Sequence, residues 1–170
     1  MKKISTIGYE AATIDGFISS LKLNDISTLV DVRAVALSRK KGFSKTALRE
    51  RLAREGIGYV HLSALGDPKP GREAARAGKM AEFKRIYGDH LKSSEAQQAL
   101  KQLAEISSIK NCCLLCFERD PAVCHRSIVT ERLRRFGFEA IDLFSDTLGA
   151  NERKSSKLPS GHSHQGAAAT

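Results

Sequence analysis

Tryptophan is absent from the 170-residue chain, and only 6% of its residues are aromatic. A platform that stacks the bases of single-stranded nucleic acid needs several rings, so the composition speaks against one. No apolar run approaches the roughly 18 residues of a membrane span, which excludes a transmembrane helix. A secretory leader is not expected either. The stretch "MKKISTIGYEAATIDGF" starts basic, but Glu10 and Asp15 interrupt it before an apolar core can form. Four cysteines in that setting point to reduced thiols in the cytoplasm rather than to a disulfide scaffold. Nor does the chain need a staple: at this length about two thirds of the unfolded surface is buried on folding.

Acidic residues are also scarce, with 19 Asp+Glu against 28 Lys+Arg and a net charge of +9. Residues 1–150 hold 25 basic and 18 acidic side chains, so +7 lies in the part expected to fold. The balance favours anionic partners, either a small phosphorylated molecule or nucleic acid.

What is present is an alternation of short β-rich runs and helical patterns. "KISTIGY" (3–9), "STLVDVR" (27–33), "IGYVHL" (57–62), "CCLLCFE" (112–118) and "FEAIDLF" (138–144) read as five strands. Between them, Ile14, Phe17, Ile18 and Leu21 share one helix face. Ser44 can cap a helix carrying Leu48 and Leu52, and Ala96, Ala99, Leu100, Leu103 and Ile106 form another stripe behind Ser93. Val129, Leu133 and Phe136 line a last helix that Gly137 stops. This order predicts a single three-layer α/β domain over residues 1–148, Rossmann-like, with a mostly parallel sheet of about five strands. Residues 149–170 lack an apolar period and are expected to be a disordered tail. The stretch 62–92, with "ALGDPKPGREAARAGK" ahead of the helical "MAEFKRIYGDHL", is too long for an ordinary connection and is a candidate lid or binding insertion.

In an open parallel sheet the ligand sits beyond the carboxyl ends of the strands. The polar residues collect there. Tyr9 and Glu10 follow the first strand, Asp31 and Arg33 the second, and Cys116, Glu118, Cys124, His125 and Arg126 the fourth. Strand alternation puts Asp31 and Arg33 on one side, where they either pair with each other or leave Arg33 to grip an anionic group while Asp31 orients it or a substrate hydroxyl. Arg33 opens a basic segment, residues 33–54, with eight Lys/Arg and one acid, Glu50. Ser38 and Arg39 lie in its loop, placed to meet a phosphate. Tyr9 and Tyr59 are candidates to stack on a base or bond a hydroxyl.

Cys113 and Cys116 form a CxxC pair, but on a strand they face opposite sides, which speaks against zinc. Cys112 and Cys113 read as core residues. Cys116 and Cys124 lie near a strand-to-helix turn, where a helix terminus or an arginine favours the thiolate. Asp120 followed by Pro121 reads as a helix start; a start nearer Cys124 would instead aim Cys124, His125 and Arg126 at the pocket. Glu118 is a candidate general base, His125 a proton carrier, and Arg126 an anion binder. The structural alternative pairs Glu118 with Arg126 and buries Cys124.

Taken together, Thr6–Tyr9 (TIGY), Leu29–Arg33 (LVDVR), Ser38 with Arg39, Gly56–Tyr59 (GIGY), Leu65–Gly66, Leu114–Glu118 (LLCFE) and Cys124–Arg126 (CHR) resemble the family catalogued as domain of unknown function 488. Ala36 stands where that family tends to have proline, which removes a fixed φ from the loop carrying Ser38. The resemblance implies a compact α/β fold with these residues in one pocket and supplies no reaction.

The resulting expectation is an enzyme acting on an anionic substrate in a basic pocket, with Cys116, Glu118, Cys124, His125 and Asp31 as chemical groups. Tyr9, Arg33, Ser38, Arg39, Tyr59 and Arg126 are expected to bind substrate, and no metal or cofactor is assigned. The alternatives are a nucleic-acid-binding module without catalysis and a thiol-based redox or metal-responsive protein. Oligomeric state is not read from the helix stripes, which bury equally well within or between subunits.

Overall fold

A computed structural model describes residues 1–145 of the chain; the tail expected over 149–170 lies outside the described residues. Five parallel strands form one sheet: β1 (Lys2–Gly8), β2 (Thr28–Asp31), β3 (Gly58–His61), β4 (Cys112–Cys116) and β5 (Phe138–Phe144). Six helices connect them: α1 (Ile14–Leu23), α2 (Lys45–Arg54), α3 (Lys69–Arg76), α4 (Met80–His90), α5 (Ser94–Ile109) and α6 (His125–Leu133). The fold is a three-layer α/β arrangement, and among the described residues no helix is long and apolar enough to cross a membrane.

Spatial order across the sheet is β3-β2-β4-β1-β5. β4 lies between two strands and is buried on both faces, which is why it reads as an unbroken apolar run. Its alternation divides the cysteines as expected. Cys112 and Leu114 join the core under α3, α4, α5 and α6, while Cys113 and Leu115 join the core under α1 and α2. Burial pushes the pKa of both the Cys112 and the Cys113 thiol up, so neither is a ready nucleophile.

The helices form where a cap precedes an apolar stripe. Thr13 accepts from Gly16 N at 3.1 Å, and Phe17, Ile18 and Leu21 of α1 are buried behind it. Ser93 accepts from Ala96 N at 3.3 Å at the head of α5, whose stripe fills the opposite core. Ser44 stands at the N-cap of α2 but spends its hydroxyl elsewhere, donating to the Ser38 carbonyl at 3.0 Å. With Ser38 N donating to Ser44 Oγ at 3.1 Å, this pair of hydrogen bonds closes the loop that Ala36 leaves without a proline.

The connection from β1 to β2 passes over β4 on one face, and that from β4 to β5 passes over β1 on the other. The two crossovers leave the central β1/β4 pair in opposite directions, and their divergence opens a crevice at the carboxyl edge. Two glycines let the crevice close up behind. A Cβ on Gly8 would collide with the Glu118 carbonyl, and one on Gly66 with the backbone of Ala34. The first contact seats the segment after β4 against β1; the second seats the 62–92 segment against the segment after β2.

Candidate functional site

A cleft of about 750 Å³ occupies this crevice. Tyr9 follows β1 into it; Arg33, Ala34, Val35 and Leu37 follow β2; Phe117 and Glu118 follow β4. The far wall comes from the 62–92 segment, through Asp67, Arg72, Ala75, Arg76 and Met80. Val123 and His125 complete it from the start of α6.

Of the residues singled out from sequence, Tyr9, Arg33, Glu118 and His125 line the cleft. Asp31, Cys116, Cys124 and Arg126 lie behind these and are buried, and Tyr59 stands behind Asp31. Ser38 and Arg39 belong to the neighbouring loop, Ser38 inside its hydrogen-bonded closure and Arg39 exposed.

Asp31 and Arg33 pair with each other. Arg33 Nε donates to Asp31 Oδ1 at 2.9 Å and Nη2 to Oδ2 at 2.7 Å, a bidentate fork. Nη1 donates to the Phe43 carbonyl at 2.7 Å and to Tyr9 Oη at 3.4 Å. Tyr59 Oη donates to Asp31 Oδ2 at 2.5 Å, which fills the carboxylate. Burial alone would lower the pKa of Arg33, but Asp31 and Tyr9 outweigh it and hold the guanidinium more firmly charged. Burial, then the bond to Asp31, pushes the Tyr59 phenol well up.

Arg126 is fully buried. Its Nε donates to Thr6 Oγ1 at 3.2 Å, and Thr6 donates on to Asp142 Oδ1 at 2.6 Å. Its Nη2 donates to the Arg119 carbonyl at 2.9 Å, and Nη1 meets Cys116 Sγ at 2.8 Å and the Glu118 carbonyl. The sequence suggested a pair between Arg126 and the Glu118 carboxylate; the contact is with the Glu118 main chain instead. Burial lowers the pKa of this guanidinium, and its donors tie α6 to β1 and to the segment after β4.

Both helix starts weighed from sequence are used in turn. Asp120 caps a short 3₁₀ turn, Pro121–Val123, accepting from Ala122 N at 2.9 Å. Cys124 then caps α6, with Arg126 N donating to its sulfur at 3.5 Å. This brings Cys116 and Cys124 together, their sulfurs within bonding distance across a Cα separation of 7.6 Å. His125 Nε2 donates to the Val32 carbonyl at 2.7 Å, leaving Nδ1 at 3.8 Å from Cys124 Sγ. Burial drives His125 down to about 4, so the imidazole is neutral at ordinary pH.

The donor atoms of Cys116, Glu118 and Cys124 lie within 4.8 Å of one another, a set that could ligate a metal. The guanidinium of Arg126 against Cys116 opposes a second cation there.

Two carboxyl groups face the cleft. Glu118 Oε2 lies 3.4 Å from Cys116 Sγ, and burial raises its pKa against the pull of Arg126. Asp67 is 7% exposed, and its Oδ1 is buried with no hydrogen-bond partner. Burial, opposed by Arg72 and reinforced by Glu118, raises Asp67 to about 6. The sequence reading passed over Asp67, Arg72 and Arg76. The one available signal was the position of 62–92 as an overlong connection.

No curated protein and no solved structure matches this chain. A family model matches residues 13–133, spanning β2, β3, β4, all six helices and the cleft wall they build. The chain belongs to the family described as Domain of unknown function DUF488.

Proposed function

We propose that the protein is an enzyme acting on an anionic substrate held in the carboxyl-edge cleft, with Glu118 as its acid–base group. The observation that carries this reading is the placement of Glu118, half-buried beside Cys116, on the wall of a cleft that also presents Arg33, Arg72 and Arg76; burial there raises its pKa. A carboxyl group shifted by burial, beside cations and an open volume, suits proton transfer to or from a bound anion. Tyr9 and His125 shape the floor beneath the substrate, His125 as a neutral ring held by the Val32 carbonyl. Asp31, Cys116 and Arg126 act from behind, setting the geometry of Arg33 and Glu118.

The test is thermal-shift screening of the full-length protein against small carboxylates, inorganic phosphate, phosphate monoesters and nucleotides. Hits are then incubated with protein and followed by mass spectrometry. Saturable stabilisation by one class, with turnover that Glu118→Gln removes while binding persists, is expected. Stabilisation only by oligonucleotides, falling steeply with salt, would favour the nucleic-acid-binding module instead.

A second reading, a thiol-based redox protein, is favoured by the meeting of Cys116 and Cys124. It requires the pair to cycle between dithiol and disulfide. Differential alkylation before and after a reductant, with a mass change of about two hydrogens, tests it. A pair that alkylates identically under both conditions would remove it.

A further inference from the structure

The cleft is not uniformly polar. Val35 is 56% exposed, Leu37 74%, Phe117 48% and Val123 45%, and all four stand on its walls. Large apolar side chains scattered singly over a surface need no explanation, but four around one opening, with Met80 and Ala75 also in its lining, do. They come from two connections far apart in the chain, that from β2 to α2 and that from β4 to α6, so no single amphipathic element accounts for them.

Arg72 and Arg76 join them from the 62–92 segment, four residues apart on one face of α3. Like charges at that spacing repel, yet among the described residues neither arginine forms an ion pair with a carboxylate. Arg72 Nη1 donates to the Asp67 carbonyl at 2.5 Å, which fixes the side chain and leaves its remaining donors available. The same segment supplies Asp67, with its partnerless oxygen. Two guanidinium groups without an ion-pair contact, a buried carboxyl oxygen short of a partner and exposed apolar side chains describe the complement of one kind of molecule.

Resting on the reading of the cleft as an anion site, we infer that its ligand is an amphiphilic anion, a carboxylate or phosphate monoester with an apolar ring or chain. Arg72 and Arg76 take the oxyanion, and Val35, Leu37, Met80 and Phe117 cover the apolar body. Asp67 faces the head group and donates a hydrogen bond to it when protonated. Arg33 contributes charge to the floor but keeps its fork on Asp31.

Isothermal titration of the full-length protein with phenyl phosphate, benzoate, inorganic phosphate and benzyl alcohol tests this. One aromatic anion, phenyl phosphate or benzoate, is expected to bind about tenfold or more tightly than inorganic phosphate, because only it buries a ring. Which of the two wins identifies the head group. Benzyl alcohol, lacking the charge, is expected to bind at least as weakly as phosphate. The Arg72→Gln/Arg76→Gln double variant should weaken the aromatic anion about tenfold or more, and Leu37→Ser, at an exposed position, should erode its advantage over phosphate. Inorganic phosphate binding as tightly as both aromatic anions would overturn the amphiphile and leave the anionic-substrate reading standing. Binding of benzyl alcohol alone, or of none of the four, would remove the anion site itself.

Discussion

The strand ends and helix α3 both carry arginines into the carboxyl-edge region, and they use them in opposite ways. Arg33 is locked to Asp31 through two bonds and to Phe43 through a third; Arg126 is fully buried with its donors on Thr6, Cys116 and the main chain of residues 118 and 119. Arg72 and Arg76 line the cleft without a carboxylate partner among the described residues. A guanidinium whose donors are spent builds the site, and one whose donors are free is what a ligand meets. Charge in a sequence does not separate the two cases; hydrogen-bond satisfaction does.

That contrast is most easily broken at Arg126. Removing it as Arg126→Ala leaves two carbonyls, the Cys116 sulfur and Thr6 without their donor, and should cost about 3–5 kcal/mol in denaturant unfolding. Arg76→Ala, by comparison, should stay within about 0.5 kcal/mol of the parent. An Arg126→Ala protein as stable as Arg76→Ala would mean that the buried network is dispensable. Arg33→Met should also cost about 3–5 kcal/mol by stranding Asp31, and adding Asp31→Leu should restore much of it, since no buried charge then lacks a counterion. No recovery in the double variant would show that the pair does more than neutralise itself.

Asp67 sharpens the comparison from the acidic side. Its folded pKa of about 6 lies above the ordinary 3.8, so the folded state holds more protons than the unfolded state between those values. Stability should therefore fall as pH rises from about 4 to 6, and Asp67→Asn should be more stable than the parent by about 2 kcal/mol at pH 8. The advantage should vanish only below about pH 3, where both states are protonated. A pH-independent difference would mean that the carboxyl is solvated in the native protein. The smallest effect is expected at Arg39, exposed beside the cleft: Arg39→Gln should leave stability and anion binding within about twofold of the parent.

Much of the fold was legible because its elements have strong periods. The stripes of α1 and α5 and the buried run of β4 identify themselves, and the carboxyl-edge rule gathers Tyr9, Arg33, Glu118 and His125 without any structure. The Asp31–Arg33 pairing was one of two outcomes that strand alternation allows. Helix α3 was not legible. Within "KPGREAAR" only Gly71 and Ala74 are buried, so no large apolar stripe announces a helix or says which face turns inward. Its placement depends on contacts far along the chain, among them Gly66 against Ala34 and the Tyr87 hydroxyl donating to the Leu65 carbonyl at 2.6 Å. The fate of Arg126 was hidden for a related reason, since two of its four partners are main-chain carbonyls, which every sequence offers.

The most direct test of the division between building and binding arginines is modification of the native, full-length protein with phenylglyoxal, mapped by peptide mass. Rapid adducts at Arg72 and Arg76, slowed by a bound aromatic anion, with Arg33 and Arg126 untouched until the protein unfolds, are the predicted result. Modification of Arg33 or Arg126 as fast as that of Arg72 and Arg76 would contradict it.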